Sequence, residues 1–207
     1  MISKEMVFEK NKSKLLDKST TSVKFKEDLY DYFGDNYLDK SILELGTHEG
    51  YSTRFFSFLF KEVHTVDKLK EYLENAAKLC DDRNNITFWE GDLYNPGVHF
   101  ELSSGHRIPS LFGDLPKNIS VVFIDASHLY PHVFMDAINS ILYFDKPIII
   151  FDDYGYEYPV KKAVDHLVEL KLLKIVQKIG HSKDEIINPH NNRKLFDSEG
   201  VICKVLI

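Results

Sequence analysis

The sequence predicts an α/β fold built on a doubly wound, mostly parallel sheet of seven strands, in which the last strand is antiparallel. Short apolar runs alternate with amphipathic helical stretches from about residue 40 to the C-terminus, an alternation typical of this class. Residues 119–125 and 147–153 are almost continuously apolar, as expected of parallel strands that are buried on both faces. The last two apolar runs are joined by a polar loop, residues 180–200. This loop is too short for a crossover helix, so the final strand should run antiparallel.

The chain divides into an N-terminal helical extension, residues 1–39, and a main domain, residues 40–207, which carries an insertion at residues 93–118. Residues 1–20 are polar and rich in Lys, and we expect them to be frayed or loosely docked. A helix is predicted after them from an apolar face that Gly34 ends. The residues of that face are Phe25, Leu29, Tyr32 and Phe33. The insertion contains scattered Gly and Pro residues, and we expect it to form a lid that covers the functional site. The alternative is that it contains a short helix.

Strands and helices alternate through the main domain. The predicted strands are residues 42–45, 63–67, 86–89, 119–125, 147–153, 172–179 and 201–207. A helix from Tyr51 should follow the first strand, and Pro131 and Pro159 should start the helices after the fourth and fifth strands. The helix after the second strand is predicted to bury Tyr72, Leu73, Ala76, Ala77 and Cys80. The helix from Pro131 is predicted to bury Phe134, Ala137, Ile138, Ile141 and Leu142.

The composition excludes several kinds of protein. The formal net charge is -6, which argues against nucleic acid as the main partner because phosphate neutralisation needs clustered Lys and Arg. Cys80 and Cys203 are far apart and form no C-x-x-C motif, so neither a disulfide framework nor a thiolate metal site is predicted. No apolar run has the length of a signal-peptide core or a membrane span. We therefore expect a cytoplasmic protein with no membrane partner, and the oligomeric state is open, with a homodimer as one option.

The first strand ends in a glycine corner. It runs into the segment E-L-G-T-H-E-G, residues 44–50, and then directly into the helix from Tyr51. Strand, glycine turn and helix form a nucleotide-binding corner, where the N–H groups and the dipole at the helix start favour an anionic group. A dinucleotide fingerprint has a glycine at its middle position, because a side chain there would crowd the pyrophosphate. That position is His48, so NAD and FAD are disfavoured.

Acidic residues stand at or near the ends of five predicted strands. They are Glu44, Asp67, Asp92, Asp125, Asp152 and Asp153. Asp67 lies 21 residues after Gly46, about where a doubly wound fold places a carboxylate that binds ribose hydroxyls. Ligands of such sheets gather at the carboxyl ends of the strands, so these acids should meet at one edge. So much negative charge implies a positive ligand or a metal ion.

The acid two residues before Gly46 and the glycine four residues after it resemble motif I of the class I S-adenosylmethionine (SAM)-dependent methyltransferases, and the resemblance spans roughly residues 40–207. It implies a Rossmann-like methyltransferase fold and a SAM site. The cofactor-binding residues that it implies are Glu44, Gly46, Thr47, His48, Gly50, Tyr51, Ser52, Asp67, Asp92 and Asp125. Among these, Asp92 is expected to read the adenine amino group.

The segments F-I-D-A-S-H-L-Y, residues 123–130, and F-D-D-Y, residues 151–154, are similar to the metal-dependent O-methyltransferases related to the catechol and macrocin enzymes. In that branch one Asp after the fourth strand and two adjacent residues after the fifth strand hold Mg²⁺. The corresponding residues here are Asp125, Asp152 and Asp153. Oxygen donors without clustered His or Cys suit Mg²⁺, with Ca²⁺ or Mn²⁺ as substitutes. The resemblance places the general base at His128, and histidine suits that role because its pKa is near neutral.

Together these observations predict a SAM-dependent methyltransferase that methylates a hydroxyl of a small molecule with help from Mg²⁺. The acceptor would be a sugar, a vicinal diol or a catechol-like group. A metal-independent O- or N-methyltransferase of the same fold is one alternative, and a protein that binds the cofactor or a partner without turnover is another. Structural alternatives also exist, because Asp67, Asp92 and Asp125 could cap helices. A two-histidine iron site would require His132 beside His128 and Asp125.

Overall fold

The computed structural model describes residues 3–8, 20–94, 111–184 and 187–207. The strands of its sheet are β1 Ser41–Leu45, β2 Glu62–Asp67, β3 Ile86–Glu90, β4 Ile119–Ile124, β5 Ile148–Phe151, β6 Leu173–Ile179 and β7 Gly200–Val205. They lie in the order β3, β2, β1, β4, β5, β7, β6. β1 to β5 pair in parallel, and β7 pairs antiparallel with both β5 and β6. The predicted mostly parallel sheet with an antiparallel last strand is confirmed.

Helices cover both faces of this sheet. The longer ones in the described part of the chain are α1 Val23–Phe33, α2 Tyr51–Leu59, α3 Lys70–Leu79, α4 Tyr130–Tyr143 and α5 Tyr158–Glu169. α1 and α2 contribute to one apolar cluster together with Phe123 of β4, whereas α4 and α5 contribute to a second cluster together with Val122. Val122 and Phe123 of β4 thus pack into the apolar clusters on opposite faces of the sheet, because successive side chains of a strand point to opposite faces. None of the described helices is long and apolar enough to cross a bilayer.

The helix predicted in the N-terminal extension is confirmed as α1. Ser22 caps its start, because the Ser22 Oγ accepts the Phe25 N–H at 3.1 Å. Gly34 ends it with a φ of +45°, a value that favours glycine. Its buried apolar residues are Phe25, Leu29 and Phe33. The extension is therefore packed on the sheet through α1.

The segment before α1 is partly docked as well. Residues 4–8 are helical, and Val7 is fully buried in the same cluster as α1. The prediction that residues 1–20 are frayed or loosely docked is therefore wrong for residues 4–8. Residues 9–19, on which the rest of that prediction falls, lie outside the described residues.

The buried face of α4 differs from the predicted one. Leu142 is 72% exposed, and the buried residues are Val133, Asp136, Ala137 and Ser140. Two polar side chains lie inside because each finds a partner: Ser140 Oγ donates to the Asp136 carbonyl at 2.7 Å, and Asp136 accepts a hydroxyl from another segment. Hydrophobic periodicity cannot anticipate such partners. Ala77 of α3, also predicted to be buried, is exposed.

The predicted insertion at residues 93–118 is described only in part. Leu111–Asp114 forms one helical turn, and Phe112 and Leu115 pack into the core on the side of α4. The alternative of a short helix within the insertion is therefore confirmed. Residues 95–110, where the lid prediction falls, lie outside the described residues.

Candidate active site

A cavity of about 720 Å³ opens at the carboxyl edge of the sheet, around β1 and β4, where the strand order reverses. Residues at the ends of β1 to β5 line it: Gly46, Asp67, Asp92, Asp125, Asp152 and Asp153. Ligands of open α/β sheets bind at this position, and the volume lies within the ~300–1,000 Å³ typical of small-molecule sites. The strand-end acids therefore meet at one edge as predicted, with the exception of Glu44.

Two glycines constrain the loop after β1. Gly46 has a φ of +99°, and a Cβ there would lie 2.7 Å from the Asp125 carbonyl oxygen. Gly50 has a φ of +82°, and its Cβ would lie 2.5 Å from the Ala76 Cβ of α3. Both positions need glycine, because an L side chain seldom adopts such φ values and the neighbouring atoms leave no space. The loop is therefore held close to β4 at one end and close to α3 at the other.

Asp67 at the end of β2 binds this loop. Its Oδ2 accepts the N–H groups of Thr47 at 3.2 Å and His48 at 3.0 Å, and its Oδ1 accepts the Leu69 N–H at 2.9 Å. The Asp67 carboxylate is thus the anion that the N–H groups of Thr47 and His48 bind. The predicted anionic ligand concerns the N–H groups at the start of α2 and stays a prediction. Asp67 still lines the cavity, and a carboxylate has further lone pairs for other donors.

Glu44 lies beneath the loop and not on the cavity wall. It is fully buried, and its Oε2 accepts the hydroxyl of Thr53 and that of Thr65 at 2.7 Å. The Thr65 hydroxyl is in turn 2.6 Å from that of Thr47. Burial raises the pKa of Glu44 to about 8, so the carboxyl is mostly protonated at neutral pH. Glu44 thus supports the loop from behind, in place of the predicted contact with the cofactor.

The predicted cofactor residues separate into two groups. Those that line the cavity are Gly46, His48, Asp67, Asp92 and Asp125. Thr47, Gly50, Tyr51 and Ser52 do not line it. Thr47 is buried under the loop, and Tyr51 and Ser52 are the first residues of α2. The structure therefore places this second group in the turn itself, where it shapes the corner.

An aromatic pair forms the wall beside Asp92. The Tyr94 N–H donates to Asp92 Oδ1 at 2.9 Å, and the Tyr94 ring stacks on His132 with 3.8 Å between the centroids and 8° between the planes. The Tyr94 hydroxyl donates to Asp136 Oδ2 at 2.8 Å. Burial raises the pKa of Asp136 to about 7. His132 Nδ1 is bonded to Ser127 Oγ at 2.9 Å. Among the described residues, the group of possible metal ligands around Asp125 and His128 does not include His132, so the two-histidine iron site finds no support there.

Asp125, His128 and Asp153 form an acid–histidine cluster at the other end of the cavity. One possible ligand atom from each lies within 4.8 Å of the other two. His128 Nε2 is 2.9 Å from Asp153 Oδ2 and 3.5 Å from Asp125 Oδ1. Two carboxylates and one imidazole can hold Mn²⁺, and they can hold Mg²⁺ less readily because it prefers oxygen ligands.

Asp152 does not join this cluster, although the resemblance places it among the metal ligands. It lies on the cavity wall and is 8% exposed. Asp153, the next residue, reaches the cluster from a left-handed φ of +55°. Asp152 interacts electrostatically with Asp125 and Asp153. The group within 4.8 Å thus contains two of the three predicted metal ligands together with His128, and the role of Asp152 stays a prediction.

His128 carries a positive charge in this arrangement. Its contacts with Asp125 and Asp153 raise the pKa of His128 to about 11. A protonated imidazole cannot accept a proton, so it does not act as a general base while both carboxylates are paired with it. The predicted role of His128 as a base therefore requires that another cation neutralise the two carboxylates.

Two buried ionisable residues lie at the base of the cavity: Glu199 lines it, and Lys26 is bonded to Thr21, which also lines it. Lys26 of α1 donates from Nζ to the Thr21 carbonyl at 2.7 Å and to the Thr21 hydroxyl. Burial lowers the pKa of Lys26 to about 8, and the charges of Asp152 and Glu199 oppose this effect. Glu199 lines the cavity and accepts the Ser22 N–H at 2.8 Å and the Ser22 hydroxyl at 2.7 Å. The N-terminal extension is thus part of the cavity and not an appendage to it.

The loop between β6 and β7 supplies a cation near the acid–histidine cluster. Arg193 lines the cavity, and its Nη1 is 3.6 Å from Asp153 Oδ1. Its Nη2 is 2.7 Å from Glu157 Oε1, and its guanidinium lies 4.4 Å from the centroid of the Tyr156 ring. Asp153 therefore has a cation on each of its two carboxylate oxygens.

The family described as a methyltransferase domain matches residues 43–154, which is more than half of the 207 residues. The chain belongs to this methyltransferase family. The matched segment of the methyltransferase begins in β1 and ends just after the acid pair that follows β5. It therefore contains the glycine loop and the acid–histidine cluster, and it excludes α1 and the strands β6 and β7.

Solved O-methyltransferase structures that contain SAM or S-adenosylhomocysteine have the same fold as this methyltransferase. The O-methyltransferase TomG from Streptomyces achromogenes, involved in tomaymycin synthesis and solved with SAM, has a TM-score of 0.59 and 13% identity, covering 100% of this chain and 92% of TomG. An O-methyltransferase from Bacillus cereus, solved with S-adenosylhomocysteine (SAH), has a TM-score of 0.56 and 17% identity, covering 98% and 90% of the two chains. The prediction of a class I SAM-dependent methyltransferase is confirmed by family and by fold.

A curated relative matches over a short segment. The protein-L-isoaspartate O-methyltransferase of Dictyoglomus thermophilum is 39% identical over 56 residues. That segment is 26% of this methyltransferase and 26% of the relative, so the match spans about a quarter of the relative's length.

Several residues that line the cavity of the methyltransferase, and Lys26 behind it, are absent from the sequence-based predictions. Glu199 could have been found, because it directly precedes β7, and an antiparallel strand starts at the edge where the parallel strands end. Lys26 falls on the helical stripe of Leu29 and Phe33, a position that indicates a buried lysine. Tyr94 and Arg193 lie in segments without periodic pattern, and nothing in the sequence indicates their contacts.

Proposed function

We propose that this methyltransferase transfers the methyl group of SAM to a hydroxyl of a small molecule, with a divalent cation at the acid–histidine cluster. The observation that supports this proposal most directly is that Asp67 and the cluster share one cavity. The proposed acceptor is a sugar, a vicinal diol or a catechol-like group, since two neighbouring oxygens can bind one cation together. The solved relatives described above are O-methyltransferases, which favours an oxygen acceptor over nitrogen.

In this proposal SAM lies between the glycine loop and the aromatic pair. Asp67 would accept the ribose hydroxyls with the lone pairs that the loop N–H groups leave unused. Asp92 would accept the adenine amino group, beside the stacked rings of Tyr94 and His132. Gly46 would keep the glycine loop in place for this assignment, because its lack of a side chain lets the loop pack directly against the Asp125 backbone.

Asp125 and Asp153 would hold the cation, with His128 or the nearby Asp152 as a further ligand. A bound divalent cation supplies Lewis acidity, which lowers the pKa of a hydroxyl that it contacts. Once their charges are neutralised, Asp125 and Asp153 no longer raise the pKa of His128. Its imidazole can then hold the proton that leaves the acceptor hydroxyl. Orientation of the acceptor oxygen in line with the methyl group can contribute ~7–11 kcal/mol of barrier reduction.

The cofactor assignment is tested by calorimetry of the purified protein with SAM, SAH and NADH. We expect SAM and SAH to bind and NADH not to bind. Binding of NADH alone would overturn the proposal. The reaction is tested with methyl-labelled SAM and a library of sugars, diols and catechols, in Mg²⁺, Mn²⁺ or EDTA. An isoaspartyl peptide is included because of the curated relative.

Formation of SAH that requires a divalent cation is the expected result. Asp153→Asn should abolish it, whereas Asp31→Asn, a matched change at a side chain that is 61% exposed, should leave it intact. Turnover in EDTA would favour the metal-independent alternative. Cofactor binding without methyl transfer to any compound would favour the non-catalytic one. A small-molecule acceptor, the lack of a nucleic-acid partner and a homodimer stay predictions.

A further inference from the structure

We infer that Arg193 is a resident cation of the acid–histidine cluster, which a divalent cation must displace from Asp153 in order to bind. The inference rests on the cation site of the proposed function. It makes Arg193 a positioning residue, which acts on the reaction through Asp153.

The contacts of Asp153 support the role of Arg193 as a resident cation of the acid–histidine cluster. Its Oδ2 is 2.9 Å from His128 Nε2, and its Oδ1 is 3.6 Å from Arg193 Nη1. Its side chain is only 12% exposed, whereas that of Arg193 is 44% exposed. The two cations compensate the carboxylates of Asp125 and Asp153 when no metal ion is bound. Without them the cluster would bury like charges side by side, which is costly.

The local backbone presents Arg193 at this place. Its N–H donates to Asn191 Oδ1 at 3.0 Å, and its carbonyl accepts the Asn188 N–H at 2.9 Å. Asn188 is fully buried and donates from Nδ2 to the Tyr156 hydroxyl. The turn is therefore closed on Asn188, which anchors it in the protein. From this fixed turn the Arg193 side chain reaches Asp153 and Glu157.

A divalent cation changes the charge balance at this carboxylate. It needs the oxygens of Asp153 as ligands, and it brings positive charge next to a guanidinium. The two cations therefore compete for one carboxylate. Glu157 offers an alternative partner, because its Oε1 already accepts the Arg193 Nη2 at 2.7 Å and its side chain is 34% exposed. Arg193 can thus leave Asp153 without losing its other ion pair.

The competition is tested by calorimetric titration of Mg²⁺ and Mn²⁺ into wild type, Arg193→Gln and Lys178→Gln, each saturated with SAH. Lys178→Gln is the matched control, because it removes the same charge from an ion pair with Asp197 at 2.6 Å that does not line the cavity. Arg193→Gln should bind the cations about tenfold more tightly than wild type, because a competing like charge is removed. Lys178→Gln should stay within about twofold of wild type.

Equal or weaker cation binding by Arg193→Gln, with wild type binding normally, would overturn the inference and leave the proposed function standing. No cation binding by any of the three proteins would remove the cation site from the proposed function, and the inference with it. The two failures are therefore distinguishable.

Discussion

Asp136 provides a quantitative test of how the cavity wall is built, because it is a buried carboxyl that holds Tyr94. It is 1% exposed, and burial raises its pKa from 3.8 to about 7. The native state therefore binds a proton more tightly than the unfolded chain does. The stabilisation from that proton is complete below pH 3.8 and is lost as the pH rises to about 7. At ~1.36 kcal/mol per pH unit, the loss amounts to ~4 kcal/mol.

Asp136→Asn removes the ionisable group and keeps an oxygen that can accept the Tyr94 hydroxyl. The free energy of unfolding of the variant minus that of wild type should rise by ~1.4 kcal/mol per pH unit between about pH 4 and pH 7 and then level off. The buried amide NH₂ adds a cost of ~1–3 kcal/mol that does not depend on pH, so the slope is the informative quantity. Urea unfolding at intervals from about pH 4.5 to about pH 8 measures it. A difference that stays flat over this range would refute the raised pKa of Asp136.

Substitutions at the glycine loop and at its supports test the cofactor end of the cavity. Gly46→Ala should weaken SAM binding more than tenfold and lower the stability by ~2 kcal/mol, because its Cβ would lie 2.7 Å from a carbonyl oxygen at a φ of +99°. Calorimetry and thermal unfolding measure both effects, and Gly113→Ala, with 3.9 Å to its nearest neighbour, should be tolerated. Glu44→Gln should leave SAM affinity within about twofold at neutral pH, since the pKa of Glu44 is about 8, whereas Glu44→Ala should cost ~1–3 kcal/mol of stability. Equal unfolding midpoints for the two Glu44 variants would contradict this reasoning. Asp67→Asn should weaken SAH binding at least tenfold in calorimetry, and an unchanged affinity would exclude Asp67 from the ribose site.

Most of the fold could be predicted, because the runs that form the sheet are locally distinctive. The predicted second strand, residues 63–67, differs from β2 Glu62–Asp67 by one residue, and the predicted antiparallel pairing of β7 follows from the length of the preceding loop. The prediction failed where a polar side chain has a buried hydrogen-bond partner. Asp136 and Ser140 occupy the inner face of α4, so the apolar stripe alone placed Leu142 inside when it is exposed.

The candidate site could be predicted at the level of its location but not at the level of its contacts. Strand ends identify Asp67, Asp92 and Asp125 as cavity residues, because parallel strands all end at one edge. Which oxygens and nitrogens meet depends on side-chain direction after the strands end. Asp153 has a left-handed backbone conformation and belongs to the acid–histidine cluster with His128, whereas Asp152, the residue before it, is not one of the three residues of that cluster.

The amino-acid order by itself determined the α/β class, the antiparallel last strand and the edge at which the acids gather. These properties follow from hydrophobic period, glycine position and strand polarity, all of which act over short stretches of chain. Only the tertiary structure decided that His128 joins Asp125 and Asp153, that Glu44 supports the loop from beneath, and that the N-terminal extension closes the cavity floor. Such contacts join segments that are distant in sequence; the hydrogen bond between Ser22 and Glu199, for example, spans 177 positions. A local sequence pattern does not indicate which distant side chain will be the partner.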